Sequence, residues 1–173
     1  SGAMSAVATS GSVCPRSDAH SAADIEGTTV GTYNPPSGAR PCCSATAVLT
    51  GADADLTALP VHLQHGADGA PYISASMDFV VDPNTGFTNV GMRRLMLRGR
   101  AESGVDLNSP SDLRAIYEAS ATAGKPVPVA FVVGSHPIDH LSSVMRLPSD
   151  DLALMSSLRG APLPVVKCVS NDV

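Results

Sequence analysis

Four arginines, Arg93, Arg94, Arg98 and Arg100, fall within eight residues of a stretch that is otherwise apolar (Val90, Met92, Leu95, Met96, Leu97). A guanidinium on a strand that is heading for a core must meet an anion or line a wet cleft, because an unpaired buried charge costs several kcal/mol. Asn89 lies five residues before Arg94, so a regular strand points the two to opposite faces. Gly91 stands between them, and a glycine inside a strand marks a bulge or a close backbone approach to a ligand. A bulge there would bring Asn89 and Arg94 to one side. The alternative is a solvated edge strand with its basic residues outward.

The elements that must position this stretch read as follows. Ile73, Ala75, Met77, Phe79 and Val81 alternate with Ser74, Ser76 and Asp78, as a half-buried strand requires. Asp82-Pro83-Asn84-Thr85-Gly86 turns the chain back, so residues 72–98 form a long β-hairpin, with pairing irregular near Gly91. Ser44–Thr50 reads as an earlier strand. Ser109 and Pro110 open a helix with Leu113, Ile116, Tyr117 and Ala121 as its apolar stripe, and Gly124-Lys125-Pro126 ends it. Val127–Val133 is a strand apolar enough to be buried on both faces. A short helix follows His136-Pro137 into Ser142-Ser143. Another occupies Asp150–Arg159, with Ser149 as cap and Gly160 as stop, and Val165–Cys168 closes the order βββαβααβ. This is an α+β domain with a mixed, mostly antiparallel sheet and flanking helices.

Composition narrows the function classes. The chain has 173 residues, a net charge of −5, 43% hydrophobic residues and only 3% aromatic ones. Val, Ala, Leu and Met must build the core, and neither charge nor aromatics suit a nucleic-acid binder. No apolar run approaches the ~20 residues that span a bilayer, so no membrane role and a cytoplasmic location are expected. Cys14, Cys42, Cys43 and Cys168 show no Cys-x-x-Cys spacing, which favours reduced thiols over zinc. His62, His65, His136 and His140 read as surface or polar-lining residues. Ser1-Gly2-Ala3 ahead of Met4 reads as a tag remnant, and residues 5–40, rich in Ser, Ala, Gly, Thr and Pro, as a flexible arm or extended strap. Residues 1–40 thus precede a domain at 41–173, with order starting near Cys43.

Several segments carry a resemblance together: Pro41-Cys42, Asp53–Pro60, Asn89-Val90-Gly91-Met92-Arg93-Arg94, Gly134-Ser135-His136-Pro137, Ser142-Ser143, Leu158-Arg159-Gly160 and Val165–Asp172 with its Val-Lys-Cys-x-x-Asn-Asp run. In this order the chain resembles the middle, cofactor-binding part of the UbiD family of carboxy-lyases. Those enzymes use prenylated flavin mononucleotide (FMN) to add or remove carboxylate on aromatic and α,β-unsaturated acids. The resemblance implies a split β-barrel-like domain. It implies that Asn89 ligates the Mn²⁺ or Mg²⁺ that holds the cofactor phosphate, and that Arg94 holds the substrate carboxylate. It places the backbone of Gly91, Met92 and Arg93, and of Ser142, Ser143 and Val144, along the cofactor. Asp112 falls where the family has a histidine ligand and Asp151 where it has a glutamate, so an all-oxygen metal site of Asn89, Asp112 and Asp151 is implied. Both aspartates also sit where a helix macrodipole favours a carboxylate.

The family's Glu-Arg-Glu proton network has no match, since Glu26, Glu102 and Glu118 are the glutamates here and none fits. The expectation is a carboxy-lyase component acting on a small carboxylic acid, with the proton-donating glutamates supplied elsewhere or lost, and with a homo-oligomer or partner subunit supplying further domains. The alternatives are a flavin- or small-molecule-binding module without decarboxylase activity, and an enzyme of another class using Arg94 to hold an anion.

Overall fold

The computed structural model describes residues 7–14, 22–32, 48–49, 51–165, 168 and 173. Among the described residues there are seven strands: β1 (Val7–Cys14), β2 (Ala22–Thr32), β3 (Val48–Leu49), β4 (Tyr72–Val81), β5 (Thr88–Leu97), β6 (Ser103–Asp106) and β7 (Val127–Val133). Three α-helices accompany them: α1 (Asp112–Thr122), α2 (Pro137–Ser142) and α3 (Asp151–Arg159). The strand order is β1-β7-β4-β5-β6-β2-β3, and β1 also pairs with β2, so six strands close on themselves. The expected α+β domain with a mostly antiparallel, split-barrel-like sheet is present, and every one of these pairings is antiparallel, with no parallel pair among the described residues.

The β4–β5 hairpin is present as expected, and its turn shows why the sequence specifies it. Asp82 accepts from the Asn84 N–H at 2.8 Å and the Thr85 hydroxyl at 3.1 Å, while its carbonyl takes the Gly86 N–H at 2.8 Å. Gly86 has φ +72°, a conformation that an L side chain rarely adopts. The irregularity in the ladder lies elsewhere than predicted. Pairing runs without a shift from Val81↔Thr88 to Ser76↔Arg93, and the register slips between Ile73 and Ser76. The extra residue is therefore on β4, at exposed Ser74 and Ala75 opposite Arg94, and β5 itself is regular through Gly91.

That slip changes which faces are buried. Ile73, Val80, Leu95, Leu97, Val105, Val127, Val129 and Phe131 share one cluster, onto which α1 lays Leu113 and Ile116. Met77 and Val90 face the other way and pack with Met155 of α3. Ser76 and Asp78, which the alternation placed toward solvent, are both fully buried. With α1 packed on one face of the sheet and α3 on the other, its middle has no wet face.

The remaining expectations fare unevenly. Helix α1 is capped by Ser111, whose hydroxyl accepts from the Arg114 N–H, and not by Ser109; α3 is capped by Asp150, and not by Ser149. Each chosen cap is the acceptor one residue before the first helical position. Gly160 ends α3 in the left-handed conformation, as expected. Strand β6 escaped the sequence reading because it is only four residues long. Two stretches of the expected arm, β1 and β2, are strands of the ring. Regular structure therefore begins well before Cys43. Small polar residues can join a sheet through backbone hydrogen bonds without an apolar pattern of their own. Of the two terminal strand expectations, 44–47 and 50, and 166–167, lie outside the described residues; Val165 and Cys168 are not in a strand. Among the described residues no helix is long and apolar enough to cross a membrane.

Candidate cofactor and metal site

The N-terminal half of β5 pairs with β4 on one side, while β6 reaches only Leu95–Leu97 on the other. Backbone N–H groups along the uncovered edge need acceptors. Two consecutive aspartates at the start of α3 supply them: the Thr88 N–H donates to Asp150 Oδ2 and the Val90 N–H to Asp151 Oδ2, each at 2.8 Å. Asp150 uses its other oxygen to cap α3, accepting from the Ala153 N–H at 3.0 Å. This double use pins the helix start to the strand edge. Asn89, between those two strand residues, gives its amide N–H to Asp151 Oδ2 at 3.4 Å. Its amide oxygen, the atom that a hard cation takes, is not committed to that contact.

A cleft of about 390 Å³ opens beside this junction, and Asn89, Asp112 and Asp151 all line it. Residues 62 apart in sequence meet because α3 docks on β5, and Asp112 arrives on the first turn of α1. Asp151 is buried, and burial pushes its carboxyl above the usual range; the Val90 N–H pulls it down, while Asp112 and Asp150 push it up again. Carboxylates that raise one another's pKa form a place where a cation relieves repulsion. Among the described residues no group of three or more His, Cys, Asp or Glu side chains is placed to hold a metal. A site here needs the Asn89 amide beside the two aspartates, a hard all-oxygen set that fits Mg²⁺ or Mn²⁺. Phe87, Met145 and Leu147 also line the cleft, apolar surface that suits a flat organic ring.

Arg94 does not join this group. Val80 is the cross-strand partner of Asn89 and shares its cluster with Leu95 and Leu97, so odd-numbered β5 residues occupy that face and Arg94 the opposite one. Arg94 is exposed. The expected common face for Asn89 and Arg94 is thus not formed, because the bulge lies on β4. Replacing Arg94 with lysine should accordingly change unfolding free energy by no more than about 0.5 kcal/mol. Chemical denaturation of both proteins checks this.

Arg93 takes the inward position instead. Its Nε lies 3.6 Å from Asp78 Oδ1, and Asp78 is fully buried. Gly91 is what makes room: a Cβ there would stand 2.9 Å from Asp78 Oδ1 and 3.2 Å from an Arg93 Nη. The close approach inferred for Gly91 is therefore made by the protein's own charges. Neither Asp78 oxygen has a hydrogen-bond partner among the described residues. Burial pushes the Asp78 carboxyl up to about 6, against the pull of Arg93. A carboxyl raised above its unfolded value stabilises fully below that value, and the contribution is lost as pH rises through about 6. Between pH 4.5 and 7 this group should remove about 2 kcal/mol of stability, and Asp78→Asn should abolish that slope. Urea midpoints at the two pH values measure it; an unchanged slope in the variant excludes Asp78 as its source.

Ser142 and Ser143 are buried at the end of α2, with their hydroxyls donating to the Asp139 and His140 carbonyls at 2.7 and 2.9 Å. Val144 is exposed, and the cleft is lined by the residues just beyond, Met145 to Ser149. Met92 is half-buried on the face of β5 opposite Asn89. Sequence reasoning missed Asp78, Asp150 and Arg146, the last of which lies in the cleft 3.6 Å from Asp112. Asp78 was detectable in principle as a charge inside an apolar strand facing a glycine; nothing in the local sequence singles out Arg146.

An antiparallel strand ring with helices packed against it defines a split-barrel-like domain, and an amide and two carboxylates line one cleft at a strand edge. Residues 36–173 match the family described as the 3-octaprenyl-4-hydroxybenzoate carboxy-lyase Rift-related domain, UbiD. The chain belongs to the UbiD family. It is 33% identical over 131 residues to anhydromevalonate phosphate decarboxylase of Methanosarcina mazei, covering 75% of this chain and 30% of that protein. It is 32% identical over 131 residues to ferulic acid decarboxylase 1 of Candida dubliniensis, covering 72% and 25%. Among solved structures it is similar to the UbiD-class enzyme HmfF from Pelotomaculum thermopropionicum in complex with FMN. That match has TM-score 0.65 and 35% identity, and covers 70% of this chain and 28% of that one. An evolved dimeric HmfF with prenylated FMN gives TM-score 0.61 at 35% identity over 66% and 27%. The chain spans less than a third of the length of these relatives.

Proposed function

We propose that this chain is the cofactor-binding part of a UbiD-type carboxy-lyase. In this reading Asn89, Asp112 and Asp151 hold a divalent cation, Mn²⁺ or Mg²⁺, which holds the phosphate of prenylated FMN. The substrate is an aromatic or α,β-unsaturated carboxylic acid. The observation that carries the proposal is the meeting of Asn89, Asp112 and Asp151 in one cleft. Support comes from relatives that are named decarboxylases and from a similar structure that contains prenylated FMN. When bound, the flavin supplies the chemistry by which carboxylate is added or removed. The chain's own residues bind and orient it. The two aspartates and Asn89 fix the cation, the Phe87–Met145–Leu147 wall keeps water from a ring, and α3 holds Asp151 in place through the Val90 N–H.

The proton-donating glutamates are, in this reading, supplied elsewhere or lost, and a homo-oligomer or partner subunit covers the exposed apolar residues outside the cleft, Leu141 and Val144. The position of Arg94 favours a second reading, a flavin-binding module that does not decarboxylate, because the carboxylate-holding arginine of the family matches a residue on the other face. Coexpression with the prenyltransferase that makes the cofactor separates flavin binding from its absence. The purified protein should carry a flavin absorption band, and a colourless protein from a flavin-replete strain sinks both readings. Turnover of an unsaturated acid by the coloured protein then decides between them.

A further inference from the structure

Among the described residues that line the cleft, Arg146 is the single basic one, and Asp82, Asp112 and Asp151 are the acidic ones. It reaches from the loop between α2 and α3 to the first turn of α1, where its Nη2 lies 3.6 Å from Asp112 Oδ1. Both partners are well exposed, at 68% and 61%, so the pair is a weak one that a competing charge can break.

We propose that Arg146 is an exchangeable anion clamp, pairing with Asp112 when the cleft is empty and turning to a phosphate monoester once a divalent cation takes Asp112. The proposal rests on the cation-and-phosphate reading given above. A carboxylate that ligates a divalent cation leaves little attraction for a guanidinium, and the cation repels the guanidinium from that spot. The released fork presents parallel N–H donors, the geometry that matches phosphate oxygens. Cation and anion binding are then coupled through one side chain. Arg146 competes with the cation and assists the anion, and the coupling is reciprocal. The clamp also answers a difficulty of an all-oxygen site, whose two carboxylates would otherwise repel the phosphate that the cation is meant to hold.

The test is calorimetric titration of the full chain and of Arg146→Ala, first with Mn²⁺ alone and then with FMN at saturating Mn²⁺, with riboflavin and inorganic phosphate as parallel probes. The clamp predicts changes of opposite sign. Without its competitor, Mn²⁺ should bind about threefold more tightly, the scale of an exposed pair. FMN should bind at least about tenfold more weakly, the scale of a charge-assisted hydrogen bond. Inorganic phosphate should weaken with FMN, and riboflavin, which lacks the phosphate, should be indifferent. Arg146→Lys, which keeps the charge without the fork, should recover only part of the FMN affinity. Weaker Mn²⁺ binding by Arg146→Ala, or FMN affinity equal to that of the unaltered chain, overturns the clamp. If the unaltered chain binds Mn²⁺ and FMN and the variant matches it, Arg146 alone is removed. If the unaltered chain binds neither, the reading beneath the proposal falls and the clamp with it.

Discussion

Replacing Asp139 with alanine is expected to destabilise the protein by about 3–5 kcal/mol, the cost of removing one member of a buried ion pair. Asp139 is almost fully buried on α2. Its Oδ1 accepts from Arg159 Nε at 2.6 Å, its Oδ2 accepts from Arg159 Nη2, and the Ser135 hydroxyl donates to Oδ2 at 2.5 Å. Arg159 closes α3, so this fork ties the two helices that carry the cleft's loop and Asp151. Burial raises the Asp139 carboxyl, but hydrogen bonds from Arg159 and Ser135 and the Arg159 charge outweigh it and hold the group below the usual range. A depressed carboxyl contributes stability above its unfolded value and loses it as pH falls through the folded one. The alanine variant should therefore unfold at markedly lower urea at neutral pH, with the gap narrowing in acid. A loss below about 1 kcal/mol at pH 7 would show that the fork carries little.

The second large effect concerns Asp151, which the structure gives two jobs. It accepts the Val90 N–H, a backbone donor of a buried residue, and it lines the cleft beside Asn89. Asp151→Ala should leave that N–H without an acceptor, at about 1–3 kcal/mol, and should abolish cation-dependent FMN binding. Asp151→Asn keeps an oxygen for Val90 and should restore most of the stability, while the lost charge keeps cation affinity low. Asp112 supplies the contrast. It is exposed on the first turn of α1, so Asp112→Ala should shift stability by no more than about 0.5 kcal/mol yet still weaken the cation by tenfold or more. Parallel urea and calorimetric titrations of the three variants separate the structural job from the binding one. Loss of stability in Asp112→Ala equal to that in Asp151→Ala would contradict the division.

How far the sequence carried this account depends on the range of the signal. The hairpin was readable because its turn, Asp82 to Gly86, is specified by local side-chain acceptors and one left-handed glycine. Strand β7 and helices α2 and α3 were readable from apolar runs and stop signals. The register slip at Ser74–Ala75 was not, since two small polar residues on β4 look the same in or out of the ladder. Because the slip falls on β4, β5 keeps its regular alternation, and the bulge at Gly91 that was to bring Arg94 to the side of Asn89 is not formed. Asp78 looked like a solvent-facing alternation residue because nothing local reveals that the sheet closes. The three ligand candidates were placed by resemblance, and the cleft that joins them depends on Asp150 and Asp151 anchoring α3 to β5, contacts across more than sixty residues.

The central claim is that the Asn89–Asp112–Asp151 cleft holds a phosphate through a divalent cation. Its most direct measurement is FMN titration of the full chain with Mn²⁺, with chelator, and in the Asn89→Ala variant. The account predicts binding that requires Mn²⁺ and falls at least about tenfold without the Asn89 amide, the scale of a charge-assisted contact. FMN binding that ignores chelator and Asn89 alike, or no binding in any arm, would contradict it.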